Sequence, residues 1–434
     1  MGTSLGTFFY IEGGSAVVEL FRPPMGWNSF DCYGVNVNEV QVKANADFMA
    51  ENLKDFGWEY IVIDADWYSY TSAPESGEDV FVPFNRMELD EYSRPFPCVA
   101  KFPSAAAGEG FAPLASYIHG LGLKFGIHMM RGIPRIAAHS HSKLWNTEIT
   151  ANLIADPYSI CSWNPDMYGI DPTKPGAQEY YDSVFELYAE WGVDFVKCDD
   201  ICRMDSKTAR VETEMIRQAM EKCSRDMVLS LSPGPAILDE CDFYRANSEM
   251  WKITERFTDD WDRLREMFDI CKNWQGKPSD EGFPDCDDLP IGLLGVGLGN
   301  EHRTKFTIDE EKTMLTLWSI CRSPLMIGSE MNKLDHETLQ LLTNVAVLRL
   351  TEVASGAREA YRDNDVIVWR AKDRYDEAEY VAMFNIATGS TPICPKPFIS
   401  KKDGLAIELW RNEEINIRST EEIPGHGCLL IRVE

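Results

Sequence analysis

An apolar segment that ends in charged residues is the first candidate for chemistry. Residues 192–200, Gly-Val-Asp-Phe-Val-Lys-Cys-Asp-Asp, run from apolar side chains into Lys197, Asp199 and Asp200. Catalytic groups of a parallel barrel project from the carboxyl ends of its strands, so these charges stand where an active site is built. Lys197 and Asp199 are two residues apart and would share one face of the strand. The alternatives are a structural ion pair and a solvated strand end.

Polar and aromatic residues accompany the ends of other apolar runs as well. In chain order these candidates are Phe30, Asp64, Asp66, Trp67, His128, Arg131, Ser232, Lys252, Glu255, Arg256 and Asp287. Carboxylates and aromatic rings are suited to a sugar, because oxygen acceptors bind its hydroxyls and flat rings bind its C–H surface. Two carboxylates that flank a glycosidic bond would hydrolyse it. A core position is the alternative for the aromatic residues and for His128.

Binding of a metal or a cofactor is not indicated. The pairs His139/His141 and Cys198/Cys202 have no partner pair at the spacing of a zinc site. No Gly-x-Gly-x-x-Gly motif follows an early strand, which weakens a dinucleotide-binding interpretation. We therefore expect neither a metal nor a cofactor.

Alternating strands and helices would bring the candidate residues to one edge of a sheet. The predicted strands are Met25–Phe30, Tyr60–Ile63, Leu123–Met129, Phe195–Cys198, Met227–Leu231, Met250–Thr254, Ile291–Leu294 and Pro324–Ile327. Helical patterns such as Glu39–Phe56, Ala177–Trp191 and Asp309–Cys321 lie between some of them. This alternation predicts an α/β fold, the (β/α)8 TIM barrel. A doubly wound sheet is the alternative.

The pattern of the sequence changes towards its C-terminal end. A last barrel helix is predicted over His336–Thr343, and short β-like runs follow at Asp365–Arg370, Glu379–Asn385, Gly404–Trp410 and Gly427–Val433. We predict a catalytic (β/α)8 barrel over residues 1–346 and a C-terminal antiparallel β-sandwich domain over residues 347–434.

The charge balance restricts the partners of the chain. The 42 Lys and Arg residues against 70 Asp and Glu residues give a net charge of -28, which disfavours nucleic acid and anionic membranes. An acidic surface that serves solubility alone is the simpler interpretation of this charge. No segment reaches the roughly 18 apolar residues of a membrane span, and Met1–Phe21 lacks the pattern of an export signal. The 12 cysteines have no regular spacing. We expect a cytoplasmic protein with a small-molecule substrate, and the oligomeric state stays open.

Four stretches of this chain carry a resemblance to a known family: Pro24–Phe30 (PMGWNSF), Val62–Trp67 (VIDADW), Lys124–His128 (KFGIH) and Arg322–Met326 (RSPLM). In this order they resemble glycoside hydrolase family 27, the retaining α-galactosidases and α-N-acetylgalactosaminidases. The resemblance extends from about Pro23 to the C-terminus. It implies a barrel with a C-terminal β domain, and cleavage of small α-galactosides through a covalent glycosyl-enzyme intermediate.

The resemblance also implies roles for single residues. The family's nucleophile lies two residues after the lysine of the fourth-strand motif, and this position is Asp199, with Lys197 as a donor to a sugar hydroxyl. Asp64 matches a carboxylate that holds hydroxyls of galactose. Phe30 stands where the family usually has a platform tryptophan, and it keeps a flat apolar face.

The sequence departs from the family at the sixth strand. The expected acid/base aspartate falls on Arg256, and an arginine does not release a proton at neutral pH. Glu255, Asp259 and Asp260 are the nearby substitutes, and the adjacent Glu255 ranks first. A sugar-binding protein or a degenerate enzyme without the usual acid/base is therefore an alternative function.

Two positions that bear on the sugar also differ from the family. Ala65 replaces the second of a pair of carboxylates that hold galactose hydroxyls, and a β-L-arabinopyranoside, which lacks C6, would miss that acceptor least. Ser232 stands near a glutamate position of some α-galactosidases, and its small side chain would leave room for an N-acetyl group. Both sugars are alternatives to an α-galactoside.

Overall fold

Eight parallel strands form the central sheet of the computed structural model, which describes residues 22–70, 86–278, 280, 282–401 and 405–434. They are β1 Met25–Asn28, β2 Tyr60–Ile63, β3 Lys124–Met130, β4 Phe195–Asp199, β5 Val228–Leu231, β6 Met250–Lys252, β7 Phe283–Asp285 and β8 Leu325–Ile327. Neighbours in the sheet follow the order β7-β6-β5-β4-β3-β2-β1-β8. A parallel bridge between Leu289, just after β7, and Ile327 of β8 joins the two ends of this order. The predicted TIM barrel is confirmed.

The strands are almost entirely buried because both of their faces are covered. Tyr60, Val62 and Phe195 belong to a separate buried cluster inside the barrel, whereas Ile61 and Ile63 belong to the large core cluster shared with the helices. A Cβ atom on Gly126 of β3 would lie 2.9 Å from Val62 Cγ2 and 3.0 Å from Phe195 Cβ. The interior of the barrel therefore requires glycine at position 126.

Helices alternate with the strands. The longer ones are α1 Glu39–Asn52, α2 Ala112–Gly120, α3 Ala177–Trp191, α4 Ala209–Lys222, α5 Cys241–Asn247, α6 Trp261–Trp274, α7 Ile308–Ile320 and α8 His336–Leu342. Shorter helices lie at Phe30–Tyr33, Arg135–Ser140, Ala151–Ile154, Val345–Leu348 and Leu350–Val353, with 3-10 turns at Gly34–Asn36, Lys54–Phe56, Pro103–Gly108, Leu238–Glu240, Met331–Lys333 and Lys396–Phe398. Asn38 is the N-cap of α1 and Thr307 is the N-cap of α7, each in a capping box with the residue three positions further on.

The prediction of the seventh strand is wrong. We expected it over Ile291–Leu294, but the structure has the strand at Phe283–Asp285, and Leu293–Leu294 instead pairs antiparallel with His302–Arg303. The true strand contains Pro284, which weakens its β signal, whereas the later run is more apolar. Asp287 therefore follows the seventh strand and lies at the same edge as the other candidate residues. A further small sheet joins Ile133–Pro134, Ala155–Asp156 and Met167–Ile170.

An antiparallel sheet follows the barrel, as predicted. Its strands and their neighbours are β9 Ala354–Arg362, β10 Val366–Asp373, β11 Glu379–Asn385, β12 Thr391–Ile393, β13 Ala406–Glu408, β14 Glu413–Glu414, β15 Glu421–Ile423 and β16 Cys428–Val433. Six of them follow the order β9-β10-β11-β16-β13-β14, and β12 pairs with β15. The first strand, β9, was not predicted. Most of its residues are exposed or half-buried, so its sequence lacks the apolar run from which a strand is predicted. The domain boundary near residue 347 stays a prediction.

The antiparallel sheet packs on helices α6 and α7 of the barrel. The rings of Phe268 and Phe384 are 4.9 Å apart, and the ring of Trp261 stacks on His426 at 3.8 Å. His426 Nδ1 lies 2.6 Å from Glu310 Oε1. In the described ranges, no helix has the length and apolar character needed to cross a membrane. Residues 1–21 and Gly404, on which two of our predictions fall, lie outside those ranges.

Candidate active site

Asp199 ends β4 at the carboxyl edge of the barrel and has two oxygen atoms in different situations. Its Oδ2 lies 2.8 Å from Nε2 of His128, on the neighbouring strand β3. Its Oδ1 is buried and has no hydrogen-bond partner among the described residues. Burial raises the pKa of Asp199, but the hydrogen bond of His128 and the charge of Lys197 lower it further, so the pKa lies below its ordinary value. One ionised oxygen is therefore left for chemistry.

Asp64, the residue after β2, lies at the centre of a second group of hydrogen-bonded side chains. Its Oδ2 accepts hydrogen bonds from Lys197 Nζ at 2.7 Å and from Asn28 Nδ2 at 2.8 Å, and its Oδ1 accepts the backbone N–H of Ala65. Burial raises the pKa of Asp64, but Lys197 and His128 reverse the effect and hold it well below its usual range. The charges of Asp64 and Asp199 in turn raise the pKa of Lys197 despite its burial.

Among the described residues, one group of side chains could hold a metal ion, and it includes both Asp64 and Asp199. Oxygen or nitrogen atoms of Asp64, His128 and Asp199 lie within 4.8 Å of one another. The ammonium of Lys197 already lies against Asp64, so a metal ion would meet a second positive charge there. The arrangement suits the hydroxyl groups of a neutral ligand better than it suits a cation.

A third group lies at the ends of β6 and β7, around Lys252. Its ammonium contacts Asp287 closely and lies 3.5 Å from Asp288 Oδ1 and 3.9 Å from Asp285 Oδ2. Burial raises the pKa of Asp287, but Lys252 lowers it below its ordinary value. Burial also raises the pKa of Asp285, and it raises that of Asp288 to about 7, against the charge of Lys252. These three carboxylates therefore differ in their readiness to hold a proton.

Arg256 lies beside the residues that follow the first strand. Its guanidinium is 4.9 Å from the centre of the Phe30 ring and donates to Asp31 Oδ1 at 3.2 Å. Burial raises the pKa of Asp31, and Arg256 opposes that effect. The ammonium of Lys197 lies 5.8 Å from the same ring of Phe30. Phe30 thus presents its ring between two cationic groups.

The nearby substitutes for the acid/base occupy different positions. Glu255 is exposed and makes no hydrogen bond or ion pair with the part of the chain that the structure describes. Asp259 is buried and lies 3.1 Å from His302 and 3.4 Å from Lys305. Asp260 caps helix α6 by accepting two backbone N–H groups. Asp259 and Asp260 are thus engaged in holding the loop and the helix.

Other predicted site residues support the strand ends. Trp67 is fully buried, its Nε1 donates to the carbonyl of His128 at 2.7 Å, and its ring packs on Phe111 at 5.1 Å. The backbone carbonyl of Ser232 accepts N–H groups of Ile201 and Cys202 from the loop after β4. The structure places both predicted residues in packing positions, and no observation assigns either a ligand.

Arg131 and Asp200 form a buried ion network below the site. Arg131 lies 2.6 Å from Asp200 Oδ2 and 2.8 Å from Glu212 Oε1, and Tyr181 donates to Glu212. Asp200 has φ 61, so the chain turns away directly after Asp199. Asp66 also has φ 61 and accepts Lys101 through its backbone oxygen. These turns end β2 and β4 and leave Asp64 and Asp199 at the mouth of the barrel.

Sequence reasoning missed three residues of the site: Asn28, Asp31 and Asp288. Asn28 ends β1, and Asp31 follows that strand by three residues. Asp288 follows β7, whose position was wrongly predicted. The rule that polar residues at strand ends form the site could have found all three, because Asp288 is adjacent to the predicted Asp287.

The barrel and its mouth of carboxylates, lysines and an aromatic ring are those of a glycoside hydrolase. Comparison with known proteins supports this class. A family model described as alpha galactosidase A matches residues 166–352. A family 27 β-L-arabinopyranosidase from Geobacillus stearothermophilus is 47% identical, with a TM-score of 0.89 over 95% of this chain and 96% of that one. An aspartate-to-alanine variant of that enzyme, in complex with arabinose, is 45% identical, with a TM-score of 0.91 over 97% and 99% of the two chains.

Curated relatives are more distant. An α-galactosidase of Cyamopsis tetragonoloba is 22% identical over 94% of this chain and 84% of its own length. The chain belongs to glycoside hydrolase family 27, and the predicted resemblance and enzyme class are confirmed.

Proposed function

We propose that this chain is a retaining glycosidase with Asp199 as its nucleophile. Asp199 Oδ1 attacks the anomeric carbon and forms an ester bond as the glycosidic C–O bond breaks, and the leaving oxygen takes a proton. Water then attacks the same carbon, gives up a proton and releases Asp199. The observation that carries this proposal is the buried, unpartnered Oδ1 of a carboxylate whose pKa is lowered.

The remaining mouth residues suit a sugar with several hydroxyl groups. Asp64 and Lys197 place an acceptor and a donor 2.7 Å apart beside the nucleophile, and Phe30 offers an apolar ring next to them. Adjacent hydroxyls of a pyranose can bind such a pair in place of water. These contacts give the sugar its orientation for attack by Asp199.

We propose a β-L-arabinopyranoside as the preferred substrate and an α-galactoside as the second candidate. Ala65 is buried and carries no side-chain acceptor at the position where the family holds galactose hydroxyls. The 47% identical relative is a β-L-arabinopyranosidase, whereas the curated relatives are α-galactosidases. A panel of aryl glycosides tests this order, and a higher kcat/KM for the aryl α-galactoside contradicts it.

Trapping the intermediate tests the nucleophile. A 2-deoxy-2-fluoro glycosyl fluoride of either sugar forms the ester but slows its hydrolysis, and peptide mass spectrometry locates the label. We expect it on Asp199, with no label in Asp199→Asn. Asp205→Asn, which changes a nearby aspartate outside the group around Asp199, is the matched control and keeps the label. Labelling of any other residue contradicts the proposal.

A sugar-binding protein without hydrolysis is the alternative that Arg256 motivates. An activated aryl leaving group departs with little protonation, whereas the aglycone of a natural disaccharide needs a proton. Turnover of both substrates supports a complete enzyme, turnover of the activated one alone supports a crippled acid, and turnover of neither supports binding only.

We propose that the enzyme acts in the cytoplasm on imported small glycosides. All 12 cysteines lie in described residues and all are free thiols, which supports a reducing compartment. Cell fractionation with an antibody tests the location, and recovery of the protein outside the cytoplasm contradicts it.

A further inference from the structure

A retaining glycosidase with Arg256 at the mouth needs another group to move protons. Arginine stays charged, and its guanidinium is engaged with Asp31 and Phe30. The leaving oxygen of a natural glycoside takes a proton as the bond breaks, and the attacking water must lose one. A carboxyl that holds a proton near neutral pH and that a ligand can reach would meet both needs.

The buried cluster around Lys252 contains more carboxylates than the single ammonium group of Lys252 can neutralise. Lys252 lies within 4 Å of Asp285, Asp287 and Asp288, and all four residues are buried. If every carboxylate were ionised, one positive charge would face three negative charges away from water. A buried cluster of this composition keeps a proton on one of its acids.

Hydrogen bonds decide which carboxylate stays ionised. Asp287 accepts Lys252 and the backbone N–H groups of Phe257 and Asp288, the last two at 2.8 Å. Three donors stabilise its charged form. In the described part of the chain, Asp288 contacts a single donor, Lys252 at 3.5 Å. Asp288 therefore keeps a proton more readily than Asp287 does.

Access distinguishes Asp288 from Asp285. Asp285 is the last residue of β7 and its side chain is 1% exposed, whereas the side chain of Asp288, beyond the strand, is 10% exposed. The charge of Lys197, beside Asp64 and Asp199, acts on Asp288, and so does that of Asp31 from the first strand. Asp288 follows β7 at the carboxyl edge of the barrel, where Asp199 ends β4, so both carboxyls belong to the same mouth.

We propose that Asp288 is the acid/base of this enzyme, an inference that rests on the proposed function with Asp199 as nucleophile. Asp288 donates its proton to the glycosidic oxygen while Asp199 bonds to the anomeric carbon and the C–O bond breaks. As a carboxylate, it then takes a proton from the attacking water, which replaces Asp199 on that carbon. The enzyme returns to its initial protonation state, and no cofactor takes part.

The groups around Asp288 set its titration. Burial raises its pKa to about 7, Lys252 lowers it, Asp287 raises it, and Lys197 and Asp31 act with smaller effect. The ion pair between Arg256 and Asp31 weakens the effect of the Asp31 charge on the pKa of Asp288. A carboxyl that titrates near neutral pH is matched to proton transfer in both directions.

Asp288→Asn tests the proposal. We expect a loss of kcat/KM of about 10² to 10⁴ on a glycoside with a poor leaving group, and a much smaller loss on an activated aryl glycoside. The basic limb of the pH profile, near pH 7 in the wild type, should disappear. Added azide should restore turnover of the activated substrate and yield a glycosyl azide of retained configuration, because azide needs no base.

Glu311→Gln is the matched control. Burial raises the pKa of Glu311 to about 7 as well, but its carboxylate accepts Thr338 of α8, away from the mouth. Its pH profile should equal that of the wild type. Asp288→Glu, which keeps an acid, should retain the basic limb and shows whether a failure of Asp288→Asn is a failure to fold.

The outcomes separate the two proposals. Wild-type turnover with label on Asp199, together with an unchanged profile of Asp288→Asn, overturns the role of Asp288 alone. The same losses and azide rescue in Asp31→Asn or Glu255→Gln, without them in Asp288→Asn, also overturn it. A wild-type enzyme that neither turns over nor labels Asp199 overturns the proposed function and this inference with it.

Discussion

Lys197→Met is a sharp test of the electrostatics at the mouth. The change keeps an unbranched side chain and removes the ammonium that lies 2.7 Å from Asp64 Oδ2. Asp64 is 1% exposed, so its charge would be buried without that partner. Loss of an ion partner in a buried site raises the pKa of the carboxyl that stays. The folded variant should therefore hold a proton on Asp64 at a pH where the unfolded chain releases it.

The proton on Asp64 sets the size of the loss in the free energy of unfolding. The ordinary pKa of the carboxyl is 3.8, so complete neutralisation at pH 7 lowers the free energy of unfolding by at most about 4 kcal/mol, at about 1.4 kcal/mol for each pH unit. Asn28 and the backbone N–H of Ala65 still donate to Asp64, each at 2.8 Å. They keep part of the charge stabilised, so we expect a loss of about 2 to 4 kcal/mol.

The direction of the pH dependence is also fixed. In the wild type the folded pKa of Asp64 is lowered, so its contribution to stability is present above the unfolded pKa and is lost as the pH falls through the folded value. In Lys197→Met the folded pKa is raised, so stability is lost as the pH rises. The difference between the two proteins should grow from about pH 4 to about pH 7.

Urea unfolding of both proteins between about pH 5 and about pH 8 measures this difference. Lys143→Met is the matched control, because Lys143 also lies 2.7 Å from its partner, Glu148, but the two side chains are 53% and 90% exposed. Its loss should stay below about 1 kcal/mol. The double variant Lys197→Met/Asp64→Asn should recover most of the stability. A loss that is constant with pH, or equal to that of the control, refutes the reasoning.

Three further predictions concern pH and specificity. His128→Phe removes a hydrogen bond that lowers the pKa of Asp199. The acidic limb of kcat/KM should move up by about one pH unit, and an unmoved limb contradicts this role. Burial and the charge of Asp66 raise the pKa of Asp166 to about 8. The contribution of Asp166 to the stability of the folded protein is therefore complete below the pKa of the unfolded chain and is lost as the pH rises through about 8. Asp166→Asn should exceed the wild type in urea unfolding above that pH, by roughly 2 kcal/mol or more, and equal stability contradicts it. Ala65→Asp adds an acceptor, so the kcat/KM ratio of α-galactoside to β-L-arabinopyranoside should rise about tenfold, and an unchanged ratio contradicts it.

The alternating pattern of the sequence was sufficient for the barrel because its strands are covered on both faces. Tyr60–Ile63 and Ala177–Trp191 have in the structure the bounds that we predicted. The seventh strand was missed because strand prediction depends on apolar runs, and Phe283–Asp285 is short and contains a proline. The pairing of that strand with β6 is a property of the closed barrel, which local sequence does not contain.

Strand-end polarity predicted the groups around Asp199, but it did not predict their orientation. Trp67 follows a strand as Asp64 does, yet its ring lies in the core. The positive φ of Asp66 reverses the chain between them, and residue type alone does not determine that turn. The contacts of Asp31 with Arg256 and of Asp288 with Lys252 join residues that are far apart in sequence, so the roles of these two carboxyls became visible only in the structure.

The two lysine clusters of the mouth show how one barrel can hold carboxyls in different protonation states. Lys197 donates to Asp64 and its charge also acts on Asp199, while Asn28 and Ala65 donate to Asp64 and His128 contacts one oxygen of Asp199, so the pKa of both acids is lowered. Lys252 faces three carboxylates, and of the three backbone N–H groups that donate within this cluster two go to Asp287, one goes to Asp285 and none goes to Asp288. The closeness of the nearest partner, at 2.8 Å from His128 to Asp199 and at 3.5 Å from the shared Lys252 to Asp288, thus separates the pKa of a proposed nucleophile from that of a proposed acid. Because Asp288 has no close donor of its own, its proton is available to a leaving group, even though the sixth strand presents an arginine.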